Sequence, residues 1–154
     1  MNAVQVTSQG IERPRWLPAV RRYCRAVLAA LATEGWELSV LIAADDVMRG
    51  LNRSYRGIDA PTDVLSFSQA EGESMPSAVG GGAAGARQVA GDVVIALPTA
   101  ERQAAEAGVG LEEELRRLLV HGILHLNGMD HPEGSREMLL LQDDLLDRVE
   151  ERLF

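Results

Sequence analysis

Residues 121–131 read HGILHLNGMDH, and His121, His125 and His131 are the only histidines among 154 residues. The step of four from His121 to His125 constrains the local conformation more tightly than any other feature of the chain. On an α-helix four residues advance about 400° and roughly 6 Å, so the two side chains share one face. The helical pattern covers residues 111–127, LEEELRRLLVHGILHLN, with three acids in its first turn, where the helix dipole favours them. Gly128 follows the pattern, placed to end the helix in a left-handed conformation and turn His131 back toward the first two.

Neutral imidazole is the commonest nitrogen ligand for zinc and suits other late first-row metals. Three histidines at one ion leave a tetrahedral site one position short, which marks catalytic rather than structural zinc. A water in that position falls to a pKa near 7 and becomes a nucleophile. Asp130 leaves a second reading open, either as a fourth ligand that closes a structural site or as a partner orienting a ligand. The spacing is also that of metzincin proteases, H-E-x-x-H-x-x-G-x-x-H, in which the glutamate is general base. Here that position is Gly122, which can neither accept nor donate a proton, so peptide hydrolysis loses its base. An ion without such a base suits a substrate whose developing negative charge is met by metal and cations, as in phosphoryl transfer.

The rest of the chain is expected to form one domain over residues 1–154, long enough to bury a sizeable core. Its longest strongly apolar stretch, AVLAALA at 26–32, is far short of the roughly 20 residues of a membrane span. No secretory signal is visible at the N-terminus, and the single Cys24 reads as a buried, inert thiol. These features fit a cytoplasmic protein without a membrane partner. The net charge of −8 argues against non-specific adhesion to nucleic acid, and DNA is not an expected partner. The charge is unevenly spread: residues 1–56 hold eight arginines against five acids, residues 57–154 seven against eighteen. All fifteen cationic side chains are arginine, which a GC-rich genome would explain.

The apolar patterns give the order β α β α β β α α α. Strands are expected at 3–7, 36–43, 63–68 and 91–97. A helix begins at Trp16 and is stopped by Gly35; a second, capped by Asp45–Asp46, carries Val47, Leu51 and Tyr55 on one face. Thr99 is the expected N-cap of a third helix, residues 111–127 form a fourth, and a fifth runs from Ser135 with Met138, Leu141, Leu145, Val149 and Leu153 in one stripe. The Gly-, Ala- and Ser-rich stretch between the last two strands has no period and is expected to be a mobile loop. The fold class is therefore α+β, a small mixed sheet of about four strands packed with helices, the C-terminal helical half carrying the metal site.

A second dense segment, LNRSYRGIDAPTDVLSF at 51–67, places Arg53 and Arg56 at the end of a short helix before a turn and a strand. With the histidine segment, it resembles the YbeY family of metal-dependent endoribonucleases, the bacterial ribosomal-RNA maturation factors. The resemblance rests on Leu51, Asn52, Tyr55 and Arg56, on Pro61 to Phe67, on Gly91–Asp92, and on His121, Gly122, Leu124, His125, Leu126, Gly128, Asp130 and His131. It spans residues 36–150 and departs from the family in the long Gly-rich loop 69–90 and the acidic balance. It implies one Zn2+ held by His121, His125 and His131, with another late first-row divalent metal as the alternative. It also implies that Arg56 lines the cleft beside the metal and serves catalysis. The implied substrate is single-stranded RNA, processed in ribosomal RNA maturation and ribosome biogenesis, and the implied partners are the ribosomal subunit or its assembly factors. Arg56 would neutralise charge on the transition state through its planar fork. Two other classes stay open at this stage: a metal-containing, non-catalytic ribosome-assembly factor, and a metal hydrolase of peptides or small phosphoesters.

Overall fold

The computed structural model describes residues 2–68, 88–127 and 136–154. The expected loop therefore falls, but for its last residues, outside the described residues, as do Gly128, Asp130 and His131. Nine elements follow one another: β1 (Ala3–Gln9), α1 (Leu17–Ala30), β2 (Trp36–Ala43), α2 (Asp45–Arg56), β3 (Val64–Ser68), β4 (Gln88–Ala96), α3 (Leu97–Ala107), α4 (Leu111–Leu126) and α5 (Arg136–Arg148). This is the α+β order expected from the apolar periods. None of the described helices is long and apolar enough to cross a membrane.

The sheet has the strand order β1-β2-β4-β3. β1, β2 and β4 run parallel, while β3 pairs antiparallel with β4, Phe67 opposite Asp92. Side chains alternate between faces along each strand, and two cores result. Leu38, Val40, Ile42, Val93 and Ile95 face α1, α4 and α5; Leu41, Ala43, Leu65, Phe67, Val94 and Ala96 meet Met48, Val47 and Leu51 of α2. At the start of β4 the register slips at Glu37/Leu38, and Gly91 has a φ of +132°. A Cβ there would stand 2.0 Å from the Phe67 carbonyl oxygen, so only glycine permits β3 to close on β4 at this point.

Several local expectations give way to tertiary contacts. α1 ends at Ala30, and the left-handed residue behind it is Ala32 rather than Gly35 alone. The N-cap of α2 is Ala44, with no side-chain cap; Asp45 and Asp46 fall in the first turn. Thr99 lies inside α3 and donates its hydroxyl to Asp45 Oδ1 at 2.8 Å, so both residues join two helices instead of capping one. α5 stops at Arg148, yet Val149 and Leu153 remain buried in extended chain. Cys24 is fully buried, and burial pushes its thiol pKa up to about 12, consistent with an inert core thiol.

The terminal segment is tied down by Glu112, whose carboxylate accepts the Leu153 N–H at 2.8 Å and an Arg116 N–H at 2.6 Å. The Leu153 bond, helped by Arg116, outweighs desolvation and holds the Glu112 carboxyl below its usual range. Phe154 is thereby set against Trp16, ring centroids 5.4 Å apart. A depressed carboxyl pKa stabilises the fold above its unfolded value and loses that contribution as pH falls through the folded value. Trp16 fluorescence should therefore report release of the tail as pH falls below about 4.5, and Glu112→Ala, which removes the acceptor, should show the released signal at neutral pH.

α4 lies antiparallel to β4 and very close to it. A Cβ at Gly122 would meet Val93 Cγ1 at 2.8 Å, Val93 Cγ2 at 3.1 Å and Ser66 Oγ at 3.3 Å. Helix propensity alone predicts that Gly122→Ala gains up to about 1 kcal/mol. Overpacking against a β-branched core residue costs about 1–3 kcal/mol, so the variant should be the less stable protein in urea denaturation. Val93→Ala should relieve part of that loss, giving a double-variant cost smaller than the sum of the two singles.

Candidate functional site

Two residues of the histidine segment are described, and they meet. His121 and His125 project from the same side of α4, their Nε2 atoms 3.0 Å apart and their ring centroids 4.5 Å apart. Both rings are half-buried at the rim of the helix. The depth of the rim is set by Gly122, whose carbonyl accepts the Ser66 hydroxyl at 3.2 Å on the sheet side.

Behind His121 lies Gln142 of α5, 5% exposed, its Oε1 3.1 Å from His121 Nδ1. An amide oxygen can only accept, so Nδ1 carries the proton in this pairing and the Nε2 lone pair of neutral His121 is left facing His125. Two nitrogens bound at about 2.0–2.1 Å to one tetrahedral ion would stand roughly 3.3 Å apart. The observed 3.0 Å differs from that by a small rotation of either ring, so the pair fits a shared zinc without rebuilding α4. Among the described residues no third His, Cys, Asp or Glu completes a metal-binding group with them. The expected third ligand, His131, and the neighbouring Asp130 lie outside the described residues.

Gln142 was not found in the sequence. It stands four residues after Met138 and three before Leu145, on the apolar stripe of α5, so helical spacing places this polar side chain inward. That spacing is the available signal; only the packing of α5 on α4 shows that the side chain meets His121.

Arg56 is the last residue of α2, exposed, followed by Gly57 at φ +71°. Its neighbour Tyr55 places its ring edge-on to Phe67 of β3, centroids 5.1 Å apart. Phe67 and Ser66 point to opposite faces of β3, and Ser66 touches α4. Arg56 and the histidines thus belong to the same end of the sheet but approach it from opposite faces, with edge strand β3 between them. Asn52, one helical turn before Arg56, is buried and donates to the Ala60 carbonyl at 2.8 Å. Arg49 and Arg53 both reach Asp59, at 2.8 and 3.7 Å. The turn after α2 is therefore fastened by its neighbours, and Arg56 is left without an ion pair among the described residues.

Buried Asp92 lies beside Phe67 on the α2 face of the sheet. The negative charge of the α4 start is met internally: Arg117 pairs with Glu114 at 2.6 Å and lies 3.9 Å from Asp63.

The family model for Endoribonuclease YbeY matches residues 3–150. A Treponema pallidum protein named Endoribonuclease YbeY is 42% identical over 149 residues, covering 95% of this chain and 89% of the relative. The Aquifex aeolicus protein of the same name is 47% identical over 118 residues, 77% of this chain and 71% of the relative. A solution structure of a Thermotoga maritima protein superposes with a TM-score of 0.64 at 26% identity, over 95% of this chain and 88% of the other. With a full-length match and this degree of identity, the chain belongs to the Endoribonuclease YbeY family.

Proposed function

We propose that the chain is a zinc-dependent endoribonuclease that cuts single-stranded segments of RNA during ribosomal RNA maturation, with His121, His125 and His131 as metal ligands and Arg56 as a catalytic cation. The observation that carries the reading is the convergence of His121 and His125 Nε2 at 3.0 Å, with the opposite nitrogen of His121 held by buried Gln142. Family membership supports the RNA substrate, and the ribosomal context with its assembly factors belongs to the proposal.

Zinc bound there would supply a Lewis acid at a phosphate oxygen or lower the pKa of water to near neutrality. The protein's own part is orientation and charge. Gln142 holds His121 in the tautomer that offers Nε2, and α4 holds His125 beside it. Arg56, always protonated, presents two parallel N–H donors to a phosphodiester and meets the charge that develops on its oxygens. Gly122 puts no general base where metzincins carry theirs, so a proton removed during attack would leave through solvent, the substrate or a group outside α4. End-group analysis of the cleavage products separates attack by water from attack by the ribose 2′-hydroxyl.

Elemental analysis should find about one zinc per chain, lost when His121, His125 or His131 becomes Ala; full occupancy in all three variants would remove the site. Gln142→Leu should weaken metal binding about 10–100-fold in a chelator competition while the protein stays folded. A mild chelator should strip zinc from the native protein without unfolding it, whereas loss of the fold along with the metal would favour a structural ion and a non-catalytic assembly factor.

Arg56→Ala tests the second half of the reading. It should leave zinc content and thermal stability nearly unchanged and lower RNA cleavage about 10²–10³-fold. Arg56→Lys should recover only part, because a point charge cannot reproduce the two-pronged contact. Normal cleavage by the Ala variant would take Arg56 out of the mechanism.

A further inference from the structure

Five arginines stand between Arg13 and Arg25, and no acidic residue occurs from Arg13 to Thr33. Elsewhere most of the described guanidinium groups are neutralised. Arg49, Arg53, Arg102, Arg116, Arg117 and Arg148 each lie within 4.0 Å of a carboxylate. None of the five on and before α1 does so among the described residues. Five uncompensated like charges in a short segment repel one another, and a protein with net charge −8 has acids enough to pair them.

Two of them precede α1 and three lie along it. Arg21 and Arg25 are one turn apart on the outer face of α1, and Arg22 is turned about 100° from Arg21. Arg22 lines a groove with Arg148, Val149 and Arg152, where Glu150 and Glu151 also stand. Arg13 and Arg21 flank another groove, between α1 and the edge strand β1. At the head of α1 lies the Trp16–Phe154 ring pair, with Phe154 55% exposed and its backbone neighbour held by Glu112.

We propose that this face of α1, with the Trp16–Phe154 pair, is a second binding surface for single-stranded RNA, separate from the histidine site. The arginines contact phosphates, and an unpaired base stacks on the exposed ring. An acidic polypeptide would also match guanidinium forks, but it brings no flat base for that ring. The inference rests on the nuclease reading for the identity of the polyanion.

Its place in the fold sets its role. Asn2 ties the end of α1 to the beginning of β2, through Thr33 O and Trp36 N. α4 passes Val93 at Gly122, so its histidine end points the same way. The head of α1, with the Trp16–Phe154 pair, therefore lies toward the opposite end of the sheet from His125; α1 itself, at 14 residues, is about 21 Å long. An RNA reaching from the histidines to the ring pair must cover a distance on the order of that length, about six nucleotides at the 3.4 Å rise of stacked bases and fewer if the strand is extended. The ring pair and the arginines nearest it therefore add contacts to a longer RNA that a dinucleotide at the histidines does not make.

The test combines Arg21→Glu, Arg22→Glu and Arg25→Glu in the zinc-loaded protein, with the corresponding Gln set as a milder variant should the first not fold. On an unstructured RNA of about 20 nucleotides, KM should rise about tenfold with kcat nearly unchanged, and the salt slope of binding should become shallower by about 2, roughly 0.7 per phosphate contact. Cleavage of a dinucleotide should not change. Phe154→Ala should weaken binding of the long RNA about fivefold or more. Unchanged KM and salt slope in the triple variant would overturn the proposal. So would loss of polyglutamate binding with RNA affinity intact, which would assign the face to an acidic protein. Absence of RNA cleavage by the unaltered protein is a different outcome: it removes the nuclease reading, while anisotropy binding to the same RNA still decides whether α1 holds it.

Discussion

The site depends on how closely α4 can lie on the sheet. At Gly122 the helix backbone comes near enough to Val93 and Ser66 that a single added methyl group would stand 2.8 Å from Val93. The Ser66 hydroxyl satisfies the Gly122 carbonyl from the sheet side, which fixes both the rotation of α4 and its height along β4. His121 and His125, one residue before and three after, are then carried to the rim with no freedom to swing inward. The same contact has a chemical consequence. A glutamate at position 122, where metzincins keep their base, would have to enter the space that Val93 fills. Position 122 is a packing position in this fold, and its lack of a proton carrier follows from the layer spacing.

Much of this architecture was legible from periodicity. Strands and helices in this chain have well-separated apolar periods, and their order emerged in full. The parallel register and the order β1-β2-β4-β3 did not, because nothing local tells a strand which neighbour it takes. Nor did the use of both sheet faces, which depends on Leu41, Leu65, Phe67 and Val94 meeting α2. Errors concentrated where a polar side chain has a distant partner. Asp45 and Thr99 each look like a cap, yet they bond to each other across α2 and α3. Gln142 is a polar member of the apolar stripe of α5, and its partner, His121, is set only by packing. Helix α4 and the shared face of His121 and His125 are legible because the step from 121 to 125 is itself a helical constraint; the place of Arg56, across β3 from the histidines, is a matter of tertiary packing.

Arginine serves two purposes here, and the structure separates them. On α2, α3, α4 and α5 it is mostly spent on nearby carboxylates, pairs that at exposed positions contribute little individually but keep a strongly acidic half from repelling itself. On α1 no arginine forms an ion pair among the described residues. Arg56 resembles the α1 group in this respect: its neighbours Arg49 and Arg53 saturate Asp59, and no carboxylate remains for it among the described residues.

The partner chosen for His121 fits the same logic. A histidine ligand needs an acceptor at its second nitrogen, and a carboxylate would serve while making the imidazole more basic. Gln142 provides the acceptor without a charge. In a buried position beside α4, an additional carboxylate would carry a desolvation cost and would set a negative field against an incoming phosphodiester. A neutral amide would orient the ring and add no charge at position 142 to oppose a divalent ion held by the histidines. Under the proposed reading, orientation by Gln142, the absence of a side chain at Gly122 and the charge of Arg56, without an ion pair among the described residues, would favour an anionic substrate over a peptide. A site so built would be matched to charge stabilisation, with proton transfer left to groups outside α4.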